Sequence, residues 1–530
     1  MKAQLGLFLH IFKQHQHQIA IAYFCLAALS AKYCVKIRPT LMSAVPIAIP
    51  VTLAVVTIST YLLMTAIYLS YPNYVDHLQP VVASISWLWM RGRELYPNWT
   101  TGDVSISFFG PPTFLINGMA LFVSPSIFAS KLPGVLSLIM ALAVTLIVLK
   151  RTTSTVSASL LLLGSEVLLL GIFHEIAYWN RPEPFLLLVS ALALLIISSR
   201  LSSWVKAISI GLLAGLAAGF KVHAFIYLLP AGAGALARIQ SLRGRVIVAV
   251  IGSLCAITFA LLPYFESGVS IAGYLRFLRV AFHEGWSLFL FTKNVVFVFV
   301  LAAPIMLILI WRKPTLDPPD RWLLVALGLS AVVVAVIGAK EGAGRYFLLP
   351  LIPVFVYGIA IVSAKFATKS AALIFASLFL VYAPNLLLDV WWRMRYDYQI
   401  DAQSERATIA ELKTYLDTYP DAQFGVSDNE HFSAYFFRVF SVWNGQPLRV
   451  DFSVWMNLAY TGVDEEHILR FIKGCAVQTW ILPLGTPFQL SNLFTGEPML
   501  SENFRQTFLS NYRQIKSGNA YQIWQCNSNS

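Results

Sequence analysis

Long apolar runs dominate the sequence and set the strongest limit on its fold. Apolar residues fill 57% of the 530 positions and charged residues 12%, a charged share of roughly half that of an average soluble domain. Several runs approach the roughly 20 residues with which an α-helix crosses a bilayer, where the backbone must satisfy its own hydrogen bonds. They lack the alternation of transmembrane strands. The sequence therefore predicts a polytopic α-helical membrane protein.

Eleven membrane helices are predicted. They lie near residues 43–68, 125–149, 155–173, 183–199, 207–220, 223–237, 246–264, 288–311, 322–339, 346–363 and 371–390. With the first helix running outward, every short inside connection carries Lys or Arg, as the positive-inside rule requires. Membrane orientation thus explains the net charge of +12, and no nucleic-acid partner is expected.

The same orientation divides the rest of the membrane region. Four connections fall outside, at residues 69–124, 174–182, 265–287 and 340–345, and they hold most of the unusual polar residues. Residues 1–40 precede the first strong run, and their apolar part is short for a span, so a cytoplasmic or membrane-surface segment is expected. The transmembrane domain is expected to cover residues 41–392.

The remaining residues, 393–530, have the composition of a soluble domain and are predicted to form a small α/β domain outside the membrane. Ile409, Leu412 and Leu416 share one face of a predicted helix. The segments QFGVSD, QTWILPLG and YRQIKSGNAYQIWQC predict strands, the last of them a hairpin.

Two cysteines lie in this C-terminal region. Cys475 and Cys526 would form a disulfide closing a long loop if the compartment is oxidising. The alternative is a pair of free thiols, because spacing alone does not show that the two residues meet.

A single acid follows the first membrane helix, in the segment YPNYVDHLQP. Asp76 opens the first outside connection, which also contains Arg91 and Arg93. One interpretation is structural, as a helix cap or a surface ion pair with one of these arginines. The other is a general base at the membrane–water boundary, which takes a proton from an acceptor hydroxyl while a lipid-borne substrate lies in the bilayer.

Aromatic residues are frequent in the same connection. They are Trp87, Trp89, Tyr96 and Trp99. Such side chains either stack on a sugar or belong to the aromatic belt at the membrane interface.

A second outside cluster lies in HEIAYWNRPEPFLLL. It places Arg181 and Glu183 at the mouth of the next helical pair. Ionisable groups at this depth are costly unless they are paired or hydrated. The two residues therefore either anchor the helix end as an ion pair or belong to a site.

A third cluster, GFKVHAF, puts a cation inside an apolar stretch. Lys221 must snorkel to an interface or face a polar cavity. A fixed cation at this level suits a phosphate held at the membrane surface, as do Arg276 and Arg279 of GYLRFLRVAFHEGW and Arg345 of EGAGRYFLLP. Together with the acidic residues, these clusters indicate a charged cavity that faces outward.

Metal ligands are also present on the outside connections. They include Asp76, His77, His174, Glu175, Glu183, His283 and Glu284. None has the spacing of a tight motif such as H-E-x-x-H. No cofactor is assigned, and a divalent metal is left open.

Taken in order, these segments resemble the GT-C glycosyltransferases that use polyprenyl-phosphate sugars, in the branch of protein O-mannosyltransferases and lipid A aminoarabinose transferases. The resemblance covers residues 43 to about 390. It rests on the order of YVDH, GPPTFLI, SKLPGVLSLIMALAV, NRPEPFLLL, GLAAGFKVHA and GRYFLLPLIP. Where mannosyltransferases carry Asp-Glu in the first loop, this chain has Asp76-His77, which argues against a protein O-mannosyltransferase proper.

The resemblance implies a role for two acids. Asp76 takes the place of the proposed base at the start of the first outside loop. Glu183 matches a second acid that precedes a proline at the start of the fourth helix, where many relatives have Asp. The basic residues that hold the lipid phosphate have no motif to carry over, so Lys221, Arg276, Arg279 and Arg345 are assigned from charge and topology.

The function expected is transfer of a sugar from a polyprenyl phosphate to a glycan, lipid or protein acceptor, with inversion, at the outer face of a bacterial inner membrane. Residues expected to contact substrate are His77, Tyr74, Arg181, His223 and Tyr346. The alternative is a transporter or flippase of a lipid-linked sugar, with the same cavity and no reaction.

Overall fold

The computed structural model describes most of the chain from residue 46 onward. The described ranges are 46–98, 102–104, 108–282, 285–363, 367–392, 394, 402–428, 433–452, 455, 465–489, 491 and 498–527. The segment predicted for residues 1–40 lies outside them.

Helices dominate the described part of the chain. They are α1 (Ala48–Ser70), α2 (Leu78–Met90), α3 (Pro111–Val123), α4 (Ile127–Thr152), α5 (Val156–Gly171), α6 (Pro182–Ile197), α7 (Ser203–Phe220), α8 (Leu229–Ala237), α9 (Leu242–Leu261), α10 (Ile271–Phe282), α11 (Leu288–Arg312), α12 (Pro318–Ile337), α13 (Ile352–Ser363), α14 (Ala367–Trp392), α15 (Ala402–Thr418), α16 (Ser433–Trp443), α17 (Glu466–Leu469) and α18 (Glu502–Asn511). Short 3₁₀ turns occupy His174–Ala177, Ala224–Leu228, Leu262–Phe265, Arg345–Leu351 and Lys473–Cys475.

Eight helices of the described residues are long and apolar enough to cross a membrane. They are Ala48–Ser70, Ile127–Thr152, Ser203–Phe220, Leu242–Phe265, Leu288–Ile310, Pro318–Ile337, Arg345–Ser363 and Thr368–Val390. The predicted class, a polytopic α-helical membrane protein, is confirmed. The other three predicted spans are helical but shorter, at Val156–Gly171, Pro182–Ile197 and Ala224–Ala237.

Local sequence explains where several helices begin. Thr155 and Ser202 cap α5 and α7, because each side chain accepts a hydrogen bond from a backbone N–H of the first turn. The Pro-Pro pair of GPPTFLI occupies the first two positions of α3, where no backbone donor is lost. The helices α2 and α3 lie within residues 69–124, for which the sequence predicts an outside connection and no helix.

The described residues form two compact units. The first, called the helical unit, contains Gly134–Leu261, Gly285–Met394 and the described residues up to Tyr68. The second, called the mixed unit, contains Leu69–Pro133, Leu262–Glu284 and the C-terminal residues from Arg395.

Within the helical unit, glycines set the approach of α7 and α9. A Cβ atom on Gly211 would lie 2.3 Å from the Gly252 carbonyl oxygen, and one on Gly215 would lie 2.3 Å from the Ala256 carbonyl oxygen. Gly211 and Gly215 stand four residues apart, so they share one face of α7. Small residues at this spacing let two membrane helices approach closely.

The mixed unit contains a four-stranded sheet in the order β1-β2-β4-β3. Its strands are β1 (Gln423–Phe424), β2 (Thr479–Pro483), β3 (Tyr512–Ser517) and β4 (Tyr521–Cys526). β1 runs parallel to β2, and the other two neighbouring pairs are antiparallel. These positions confirm the strands and the hairpin predicted from the sequence.

Helices cover both faces of the sheet. Ile481 and Ile523 pack with Leu412 and Leu416 of α15, which confirms the predicted helical face. Trp480, next to Ile481 in β2, belongs instead to the larger core on the opposite face. A disulfide joins Cys475 to Cys526, with 5.8 Å between the Cα atoms.

The larger core of the mixed unit draws on all three of its chain stretches. Val81 and Phe114 come from the first connection, Phe277 from α10, and Trp480 and Phe504 from the C-terminal region. The connection that follows α1 is therefore a packed part of the mixed unit and not a free loop.

We expect Gly215→Val to destabilise the helical unit by about 1–3 kcal/mol, because the new side chain overlaps the backbone of α9. Thermal unfolding of detergent-purified protein measures the change. Gly232→Ala is the control, since a Cβ at Gly232 in α8 meets no atom within 4 Å. Equal stability of the two variants would contradict the close contact of α7 and α9.

Candidate functional site

The helical unit contains a buried ion pair at the N-terminal end of α6 and the C-terminal end of α7. Lys221 Nζ lies 2.6 Å from Glu183 Oε1, and the two residues are 8% and 1% exposed. Glu183 sits in the first turn of α6, where the helix dipole favours a negative charge. Lys221 follows the last residue of α7 in an extended conformation. The break in helix at Lys221 thus aims its side chain at Glu183.

A second cation shares this carboxylate. Arg181 Nη2 lies 3.7 Å from Glu183 Oε1, and the Arg181 side chain is 6% exposed. Trp179 Nε1 donates a hydrogen bond of 3.1 Å to the other carboxylate oxygen, Oε2. The Arg181–Glu183 ion pair considered from the sequence is therefore present, and Lys221 makes it a triad.

Aromatic rings surround the two cations. The Arg181 guanidinium lies 4.1 Å from the Trp179 ring centroid and 5.8 Å from that of Tyr346. Lys221 Nζ lies 5.6 Å from the Tyr346 centroid and 4.6 Å from that of Phe347. Cation–π contacts of this kind stabilise a charge that is removed from water.

His223 and Arg345 border the same cluster. The His223 ring stacks on Phe347, with 5.1 Å between centroids. Arg345 opens the 3₁₀ turn that carries Tyr346 and Phe347. The structure thus brings together five predicted residues from three stretches of sequence, which are Arg181, Glu183, Lys221, His223 and Tyr346. Two cations facing one carboxylate leave a net positive charge, which suits an anionic ligand.

A glycine makes room for this arrangement. A Cβ on Gly134 would lie 2.0 Å from the Trp179 carbonyl oxygen, so no larger residue fits in this packing. Gly134 belongs to the SKLPGVL segment of α4, and it lets the Trp179 backbone approach the helix. That backbone positions the ring which contacts both Arg181 and Glu183.

Asp76 lies in the mixed unit, immediately before α2. Its Oδ1 accepts a hydrogen bond of 3.0 Å from Leu78 N, and its Oδ2 lies 3.6 Å from His77 Nδ1. The side chains of Asp76 and His77 are 19% and 30% exposed. The hydrogen bond from the first backbone N–H of α2 fits the helix-cap interpretation of Asp76, although His77 is the residue directly before the helix. A carboxylate in this position can still meet a ligand through its exposed part.

The alternative of an ion pair with Arg91 or Arg93 is wrong. These residues follow the far end of α2, whose 13 residues place them about 20 Å along the helix from Asp76. Arg91 instead lies over the Trp87 ring, 4.5 Å from its centroid.

Other predicted residues of the mixed unit are placed as follows. The Tyr74 hydroxyl forms a hydrogen bond of 2.8 Å with Ser130, and burial raises the pKa of Tyr74. Arg276 and Arg279 lie on α10, where Arg276 is half-buried and Arg279 is exposed. The phosphate and substrate roles assigned to these three residues stay predictions.

Neither interpretation of the aromatic residues holds for Trp87 and Tyr96. Both are buried, at 5% and 1% exposure. Trp87 belongs to a core with Val439 of α16, and the Tyr96 hydroxyl donates to the Phe109 carbonyl oxygen at 2.9 Å. They stabilise the fold. Trp99 lies outside the described residues.

The structure also reveals polar residues that the sequence analysis missed. Lys131, which is fully buried, donates to the carbonyl oxygens of Tyr71 and Asn73 at 2.9 and 2.6 Å. Glu166 of α5 is fully buried, with its Oε1 3.5 Å from Thr145 Oγ1. A charge inside an apolar run was the available signal for both.

Among the metal ligands considered, His174 Nδ1 lies 2.6 Å from Asp389 Oδ2. In the described part of the chain, no group of three or more His, Cys, Asp or Glu side chains gathers at one point. His283 and Glu284 lie outside that part.

No protein-family model matches this sequence, and no curated protein sequence matches it. Two crystal structures of ArnT from Cupriavidus metallidurans do match its fold. The one bound to undecaprenyl phosphate gives a TM-score of 0.54 at 13% identity and covers 90% of this chain and 98% of ArnT. The apo structure gives 0.52 at 12% identity and covers 89% and 97%. The GT-C resemblance drawn from the sequence is thereby confirmed at the level of the fold.

We expect Glu183→Gln to destabilise the protein by about 3–5 kcal/mol, because the buried Lys221 and Arg181 both lose the carboxylate that faces them. The double variant Glu183→Gln/Lys221→Met should recover part of this loss, since one buried cation instead of two then lacks the Glu183 charge. Thermal unfolding in detergent measures all variants. The control, Lys473→Met, breaks an exposed pair with Glu466 and should change stability by less than about 1 kcal/mol. A double variant no more stable than Glu183→Gln would contradict the pairing.

Proposed function

We propose that this protein is a membrane glycosyltransferase of the GT-C type that takes its sugar from a polyprenyl-phosphate donor. The observation that carries the proposal is the buried triad of Arg181, Lys221 and Glu183. Its net positive charge suits a lipid phosphate, and the fold is shared with ArnT, one of whose structures is bound to undecaprenyl phosphate.

In this proposal the two cations of the triad bind the donor phosphate. Arg181 offers several donors in a planar fork, which matches the oxygens of a phosphate. Lys221 adds a compact charge, and Arg345 directly precedes Tyr346, whose ring contacts both cations. Glu183, predicted as catalytic, then acts as a positioning residue, because both of its oxygens are engaged by Lys221 and Trp179. Tyr346 and His223 complete the wall of the site.

The phosphate also explains how the leaving group departs. As the bond from the anomeric carbon to the phosphate oxygen breaks, its electron pair goes to the phosphate, and negative charge grows there. Cations fixed in a site of low dielectric stabilise this developing charge without reorganisation. No proton donor to the leaving group is required.

Asp76 is proposed as the general base. Its carboxylate takes the proton of an acceptor hydroxyl as the oxygen attacks the anomeric carbon, and a single direct displacement inverts the configuration. The partial exposure of the side chain supports access to an acceptor. A base must lie within hydrogen-bond reach of the proton that it removes, so the position of Asp76 decides the rate.

The topology proposed follows the basic inside connections. The three shorter helices, with the eight longer ones, would give eleven spans in a bacterial inner membrane. Asp76, the triad and the C-terminal α/β region would then lie on the periplasmic side. The acceptor is a glycan, lipid or protein of the cell envelope.

A transporter or flippase of a lipid-linked sugar is the second candidate. Glu166 favours it, because a buried carboxyl inside a membrane helix is typical of transport pathways. Chemistry separates the two candidates, since a transporter leaves its donor intact.

We expect purified protein to consume one of a panel of polyprenyl-phosphate sugars in the presence of cell-envelope acceptors, and Asp76→Asn to lower the rate by at least about 100-fold. Mass spectrometry follows the donor, the released polyprenyl phosphate and the glycosylated acceptor. Asp103→Asn is the control, because Asp103 lies in the same connection and pairs with the exposed Arg449. Full activity of Asp76→Asn would overturn the base assignment. Lipid-sugar binding without donor loss in the wild type would favour transport.

A further inference from the structure

The backbone around Asp76 is held by two buried cations. Lys131 Nζ donates to the carbonyl oxygens of Tyr71 and Asn73, before Asp76. Arg438 Nη2 donates to the carbonyl oxygen of His77, directly after Asp76, at 2.9 Å. The segment that carries Asp76 is thus bound through its main chain on both sides.

Arg438 comes from a distant part of the chain. It lies on α16, 361 residues after His77, and both residues belong to the mixed unit. Arg438 is 2% exposed. The C-terminal region therefore reaches the segment of Asp76 through one buried side chain.

Asp451 fixes the direction of this side chain. Arg438 Nη1 is bonded to Asp451 Oδ1, and Asp451 is fully buried. The backbone of Asp451 is itself held, because its N–H donates to the Val104 carbonyl oxygen at 2.8 Å. The planar guanidinium thus joins two acceptors with two different nitrogens, Nη1 to Asp451 and Nη2 to His77.

We propose that Arg438 and Asp451 are positioning residues for Asp76, by which the C-terminal region sets the geometry of the base. The inference rests on the proposed role of Asp76. Because a displacement of about 1 Å at a reacting group can cost about 100-fold in rate, a contact that fixes the next peptide unit controls catalysis without touching substrate.

A purely structural pair would behave differently. An ion pair that serves only the core needs its two charges, and any cation opposite Asp451 would satisfy it. The second bond, from Arg438 Nη2 to His77, adds nothing to that neutralisation. Lysine separates the two functions, since it keeps the charge but replaces the two separate nitrogens that Arg438 directs at Asp451 and His77 with one ammonium.

The test is Arg438→Lys in the full-length protein. We expect kcat for sugar transfer to fall about 10- to 100-fold, with the KM for the donor unchanged and the unfolding temperature close to that of the wild type. The control is Arg449→Lys, because Arg449 also links the C-terminal region to the first connection, through an exposed contact with Asp103. It should leave kcat and KM unchanged.

Two further measurements distinguish this proposal from the base assignment. Hydrogen–deuterium exchange should rise in the peptide covering residues 71–80 in Arg438→Lys, and stay unchanged in Arg449→Lys. Adding Arg438→Lys to Asp76→Asn should cause no further loss of rate, because both changes disable one group.

Unchanged exchange at residues 71–80 would overturn the positioning role, whether or not Asp76 proves to be the base. The proposal would also be overturned if the rate losses of the two single variants multiply in the double variant Asp76→Asn/Arg438→Lys. A third result is also possible, in which Asp76→Asn is fully active and Arg438→Lys raises the exchange. It would refute the base assignment and show that the contact anchors the backbone without serving catalysis. This result also overturns the proposal. If Arg438→Lys fails to fold, Asp451→Glu, which keeps the charge and shifts its position, undergoes the same three measurements.

Discussion

The contact between Lys221 and Glu183 is the interaction on which the helical unit's polar site depends. A charge in an apolar environment is tolerated only when it is paired and hydrogen-bonded. Glu183 meets this condition through Lys221, Arg181 and Trp179, and the cations meet it through the same carboxylate and the surrounding rings. Within the triad, two cations face one carboxylate. A further anion would fit beside them, and this supports the proposed binding of a lipid phosphate.

In the mixed unit, the backbone around Asp76 is fixed while the Asp76 side chain stays partly exposed. The buried cations of this unit, Lys131 and Arg438, bind main-chain oxygens on either side of Asp76. The Asp76 carboxylate accepts a hydrogen bond from the first backbone N–H of α2 and keeps part of its surface exposed. Rigidity thus comes from the backbone. In the proposed role of general base, Asp76 would thereby be pre-organised for proton transfer.

The helices and the charged positions could be predicted from the sequence because both leave local signals. Apolar runs of about 20 residues predict spans, and Lys221 was recognised because a cation interrupts such a run. The partners of the charged residues could not be predicted from the sequence. Arg438 and His77 are 361 residues apart, and Asp451 resembles any surface acid in sequence. Trp87 and Tyr96 were misassigned for a related reason. An aromatic residue in a connection reads as interfacial until the core that covers it is known.

The central claim is that the Arg181–Lys221–Glu183 triad binds a lipid phosphate, and equilibrium binding tests it most directly. Purified protein and its Arg181→Gln variant would be titrated with a polyprenyl monophosphate and with the uncharged polyprenol of the same length. Our account predicts that the wild type binds the phosphate at least about tenfold more tightly than the alcohol, and that Arg181→Gln loses most of this preference. Equal affinity of the wild type for the two lipids would contradict the account.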